Sequence, residues 1–97
     1  MSAPDFDSVH NHHERAVFAA VTTAARTRYP QMNDPELLSD IACVALNRLP
    51  PRYIRHVVDF TFYLTERERA DNERAIAEAV EFAFEFVQAR RAMKARV

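Results

Sequence analysis

The 97-residue sequence contains no glycine. Loops that wrap a phosphate, and the turn of a dinucleotide-binding fingerprint, need glycine so that the backbone can approach the ligand closely. Both are excluded, and an anion bound to this chain must be held by side chains or helix N-termini. Cysteine is nearly absent as well. The single Cys43 cannot form an internal disulfide, so a reducing compartment is the expected setting. Neither sign of charge dominates, since 13 Lys and Arg against 14 Asp and Glu leave a net charge of −1. Such a chain exerts no long-range pull on a polyanion, and nucleic acid is not an expected partner. No apolar run reaches the roughly 18 residues that a membrane span needs. The first twenty residues lack a basic segment followed by an apolar one, so no secretory signal is expected. The expected location is the cytoplasm, with no membrane partner.

What is present suffices for one folded domain. Apolar residues make up 48% and charged residues 28%, enough to fill a core and coat a surface. Residues 1–10 are mostly polar and include a proline, and are expected to be a flexible tail before a domain over 11–94. Asn11 sits three before Glu14, the spacing of a helix cap with a reciprocal partner. Val17, Ala20, Val21, Ala24 and Ala25 continue at helical spacing, which predicts a helix from His12 to Arg28 that stops before Pro30. Asp34-Pro35-Glu36 signals a second start, because aspartate caps and proline suits the first helical position. Leu37, Leu38, Ile41, Ala42, Ala45, Leu46 and Leu49 form its stripe, and Pro50-Pro51 ends it.

The pattern then changes period. Ile54, Val58, Phe60, Phe62 and Leu64 alternate mostly with polar residues, with His56 and Val57 breaking the pattern, which reads as a β-strand; a helix over residues 53–64 is the competing reading. Thr65-Glu66-Arg67-Glu68 makes another capping box, and a long helix follows to Lys94, with Asp71-Asn72 a candidate break. Ile76, Val80, Ala83, Phe84 and Val87 form its stripe, and Phe82 and Phe86 widen it. The predicted fold is therefore mainly α, with three helices and one strand. A lone strand leaves unpaired backbone groups on both edges. Finding no second strand in the chain, the simplest expectation is a homodimer in which the strand pairs with its own copy.

Residues 40–53 read Asp40-Ile41-Ala42-Cys43-Val44-Ala45-Leu46-Asn47-Arg48-Leu49-Pro50-Pro51-Arg52-Tyr53. This block resembles the central signature of the ComFB family of late competence proteins: Asp-Ile, then Ala-Leu-Asn, then Leu-Pro-Pro and a tyrosine. Asn11, Glu14 and Val17 resemble that family's amino-terminal pattern, so the likeness covers about residues 11–92. The resemblance implies a dimeric, non-enzymatic signalling or adaptor module. It also implies binding of the second messenger cyclic di-GMP, because other members resemble receptors for it. Some relatives carry cysteines before the aspartate that resemble a zinc site. Here Asp34 to Ser39 has none, and neither zinc nor another cofactor is expected.

The chemistry around the signature suits such a ligand. Guanine O6 and N7 accept two hydrogen bonds from one arginine, and a guanidinium also stacks on the base. Arg48, Arg52, Tyr53, Arg55 and His56 fall within nine residues, with Asp59 four beyond Arg55. The expected ligand contacts are Arg48, Arg52, Tyr53 and Arg55, with Asn47 and Asp59 secondary. Plainer readings stand beside this one. Arginines favour a helix C-terminus, the prolines end a helix, Tyr53 can plug a core, and Asn47 can cap.

Other constellations favour structural readings. His10, His12 and His13 read as a solvated helix start, because adjacent histidines on a helix face different ways and no other ligand completes a metal set. Cys43, in the apolar stripe, reads as a small buried hydrophobe. Glu81 and Glu85 read as a solvated helix edge. With no nucleophile–base pair, metal set or phosphate loop visible, the chain is not expected to be an enzyme. The alternative function is a ligand-free interaction protein of the competence or pilus machinery, and in either case a protein partner is expected.

Overall fold

In a computed structural model of the chain, residues 3–56, 58 and 64–95 are described. Helix α1 runs over His13–Thr27, α2 over Pro35–Arg48 and α3 over Glu66–Ala95. Each start reflects local chemistry. Asp34 Oδ1 accepts from Glu36 N at 2.9 Å with Pro35 in the first turn, and Thr65 Oγ1 accepts from Glu68 N at 3.1 Å. Both caps were legible as motifs. No described residue has a positive φ, so the missing glycines are not needed. Helices α1 and α2 stop instead at proline-bearing segments. After α1, Pro30–Met32 makes a 3₁₀ turn that drops Met32 into the core at 1% exposure. After α2, Leu49 turns extended and Pro50-Pro51 follows.

The core is the seam of the three helices. Val17, Val21, Ala24 and Ala25 of α1 meet Ile41, Ala42 and Ala45 of α2 and Ala79, Val80, Ala83, Phe84 and Val87 of α3. Six of these residues are alanine, which lets the helices approach closely. Phe84 fills the space left, lying parallel to Tyr29 at 4.3 Å between centroids. The stripes expected from periodicity are the ones buried, except that Ala20, Leu37, Leu38, Leu46, Ile76 and Phe82 are only half-buried at the rim and Phe86 is exposed.

Asp71-Asn72 does not break α3, which is continuous. Two poor helix formers cost only about 0.5–0.7 kcal/mol each. The apolar stripe immediately after them, from Ala75 and Ile76 onward, packs on the core and outweighs that cost.

The strand expectation is corrected. Tyr53–Ile54 is the strand here, and it pairs antiparallel with His10–Asn11 of the same chain, in the register His10 with Ile54 and Asn11 with Tyr53. A second strand was therefore available within the chain. It was missed because two polar residues carry no alternation to read. Residues 6–8 before it form a 3₁₀ turn. Val57 and residues 59–63, the middle of the alternating segment, lie outside the described residues.

The Cα radius of gyration is 15.9 Å, against about 13 Å for a compact domain of this size. The excess reflects α3, whose 30 residues span about 45 Å, and whose last two turns are exposed.

Candidate ligand-binding site at the proline turn

Pro50-Pro51 cannot donate backbone hydrogen bonds, so the chain leaves α2 with few internal ties. The turn is held from outside, by the start of α1. His12 N donates to Arg52 O at 2.7 Å. The Asn11 side-chain oxygen accepts from both His13 N and Arg52 N, each at 3.2 Å. One buried amide thus caps α1 and anchors a residue 41 positions away. The cap motif pointed to Asn11, but nothing local in the sequence could show the second donor.

His13 is the other half of this anchor. It is buried at 7% exposure, next to the Pro50 carbonyl, and its Nδ1 has no hydrogen-bond partner. The expectation of a solvated histidine cluster is corrected for this residue. His13 occupies the inner side of the first turn of α1, where the proline turn covers it. Burial lowers its pKa and the Arg52 guanidinium lowers it further, while the Pro50 carbonyl opposes both. The pKa of His12 is also lowered, first by burial and then by His13, Arg52 and His10.

The structure brings together three of the expected ligand residues. Arg52, Tyr53 and Arg55 follow one another on the anchored turn, all exposed, with Tyr53 67% open. Tyr53 therefore does not plug the core. Arg55 Nε donates to Ser8 Oγ at 3.0 Å, which ties the amino-terminal 3₁₀ turn to the same surface. Arg48 and Asn47 have other engagements. The Arg48 guanidinium lies over the Phe82 ring of α3 at 3.8 Å from its centroid. Asn47 is still helical, and its amide donates to the Cys43 carbonyl at 3.0 Å instead of capping. Asp59 lies outside the described residues.

Phe82 was read as stripe widening, and no sequence signal paired it with Arg48. Cys43 is also corrected. It is exposed, because Ile41, Ala42 and Ala45 take the inward face of α2 and Cys43 is rotated off it. An apolar groove of about 650 Å³ between α1 and α2 runs past it, lined by Phe18, Val21, Leu38, Ala42, Cys43 and Leu46 among others. No group of three or more His, Cys, Asp or Glu among the described residues could hold a metal ion. No helix among them is long and apolar enough to cross a membrane.

These features define a small, mainly helical domain that presents a basic, aromatic turn anchored by its own N-terminal segment. The family described as late competence development protein ComFB matches residues 10–91, and the chain belongs to that family. No curated protein and no solved structure matches it.

Proposed function

We propose that the chain is a non-enzymatic receptor or adaptor that binds cyclic di-GMP at the proline turn and relays the signal by protein contact, as a homodimer in the cytoplasm. The observation that carries this reading is the exposure of Arg52, Tyr53 and Arg55 on one externally anchored turn. Anchoring lowers the entropy lost when a ligand binds. The Tyr53 ring offers a stacking surface for a guanine, and the arginines offer paired donors to guanine acceptors or to phosphate. Arg48 contributes in a narrower way. Its face is used on Phe82, which leaves the N–H edge of the guanidinium for a phosphate oxygen. Asn47 and Asp59 remain secondary contacts, and no cofactor or zinc is required.

The homodimer is supported by exposed apolar side chains on an elongated chain: Phe18 at 49%, Phe86 at 40% and Met93 at 68%. Cyclic di-GMP acts by favouring one dimer geometry, to the extent that it binds that geometry more tightly. The apolar groove beside Phe18 supports a second reading, a ligand-free interaction protein of the competence or pilus machinery.

The test is equilibrium binding of cyclic di-GMP to single variants. Arg52→Ala and Tyr53→Ala are each expected to weaken binding roughly tenfold, the value of one good bidentate or stacking contact. Unchanged affinity in both variants removes the turn as the site.

A further inference from the structure

The pairing of His10–Asn11 with Tyr53–Ile54 lays the amino-terminal segment along the proline turn. With His10 opposite Ile54 in an antiparallel pair, the residues before His10 run beside those after Ile54. Ser8 thereby meets Arg55, whose Nε donates to Ser8 Oγ at 3.0 Å across 47 positions. Ser8 is itself held from two sides. Its hydroxyl donates to the Asp5 carbonyl at 2.8 Å, and its own carbonyl lies 3.1 Å from His10 Nδ1. A serine that only closed its own 3₁₀ turn would need the first of these bonds and would leave its lone pairs to water. Here a lone pair receives a guanidinium from the turn. That guanidinium is held by its inner nitrogen alone, and among the described residues its two terminal nitrogens have no protein partner.

We infer that Ser8 is a positioning residue for the ligand of the proline turn, acting through Arg55. The inference rests on the reading of that turn as the binding site. A guanidinium has one N–H on Nε and four on its terminal nitrogens. Ser8 takes the Nε donor, which restrains the plane of the group and leaves the terminal nitrogens as an end-on fork. Two parallel donors of that kind match a phosphate, or the O6 and N7 edge of guanine. A free arginine loses its rotamer freedom when a ligand arrives, whereas an arginine already held has less to lose. Ser8 sits on the Nε side and does not occupy the fork, so it prepares the site without competing for it. Its own proton is committed to the Asp5 carbonyl, so it acts on the ligand only through Arg55.

The experiment is a titration of the full chain with cyclic di-GMP, repeated on Ser8→Ala, Ser8→Thr, Arg55→Ala and the double variant Ser8→Ala/Arg55→Ala, with circular dichroism to confirm that each is folded. Exchange of the Arg55 Nε proton is followed by NMR, without ligand, in the parent and the two Ser8 variants. Ser8→Ala should weaken binding about threefold to tenfold, the effect of ordering one rotamer-rich side chain only when the ligand binds. Ser8→Thr keeps the hydroxyl and should restore the parent affinity. Ser8→Ala should add nothing once Arg55 is alanine. The Nε proton should be protected in the parent and in Ser8→Thr, and should exchange freely in Ser8→Ala. The inference is overturned if Ser8→Ala leaves the affinity unchanged, or tightens it as removal of a competing segment would. It is also overturned if Ser8→Ala weakens binding equally with and without Arg55, or if the Nε proton exchanges freely in the parent. No binding by the folded parent overturns the reading of the turn and the ligand role of Ser8 with it, while the exchange measurement still decides whether Ser8 holds Arg55.

Discussion

Replacing Asn11 by alanine should loosen the domain at one identifiable place. The Asn11 oxygen is the acceptor for two backbone donors, His13 N and Arg52 N, and the residue is only 9% exposed. Removing it strips α1 of its side-chain cap and leaves both N–H groups without a protein partner. A buried donor left unsatisfied costs about 1–3 kcal/mol. Part of the turn can take up water, so the expected loss is about 2–4 kcal/mol from a total stability of about 5–15. For a domain of this length that lowers the melting temperature by about 10–25 °C. Urea unfolding followed by circular dichroism measures the loss. Hydrogen exchange then locates it, with the amides of His13 and Arg52 speeding up beyond the rest. Asn11→Asp keeps the acceptor at a helix N-terminus and should stay close to the parent. A loss below about 0.5 kcal/mol, the scale of an ordinary surface substitution, would refute the idea that one amide joins the two segments.

Acid should weaken the fold through the histidines. Both His12 and His13 titrate below their usual 6.5 in the folded chain. The unfolded chain therefore binds more protons just below that value, and stability falls as pH drops through 6.5 and is flat above it. Urea midpoints compared between about pH 5 and pH 8 should show this slope, and His13→Gln should flatten it; an unchanged slope in that variant would exclude His13 as the cause. A double-mutant cycle on Arg48 and Phe82 should give a coupling of about 0.5–1 kcal/mol, whereas zero coupling would mean the stack is not populated in solution. Cys43, being exposed, should react with an aromatic disulfide reagent in the native state at the rate of a free thiol. Reaction only on unfolding would place it in the core after all.

The helices were legible because their information is local. Asp34-Pro35 and Thr65 to Glu68 carry start signals within four residues, Pro30 and Pro50-Pro51 carry the stops, and the buried stripe repeats at helical spacing. What failed to show was non-local or too short. Whether His10–Asn11 pairs with Tyr53–Ile54 depends on where α1 and α2 put the two segments, and two residues make no periodic pattern. The wide apolar set on α2 concealed which side faces inward, so Cys43 was misplaced by a rotation of one residue. The candidate site was half legible. Clustering brought Arg52, Tyr53 and Arg55 forward, and the structure keeps them together. Arg48 belongs to the same cluster in sequence but lies over Phe82, 34 positions on, a contact that only the α2–α3 crossing could reveal.

The central claim is that the anchored turn recognises cyclic di-GMP, and calorimetric titration of the purified chain with that ligand tests it most directly. Cyclic di-AMP and the Arg52→Ala variant serve as controls. Micromolar or tighter binding of cyclic di-GMP, not matched by cyclic di-AMP and weakened in Arg52→Ala, is the predicted result. No heat and no thermal shift at millimolar ligand, or full affinity in Arg52→Ala, would contradict it.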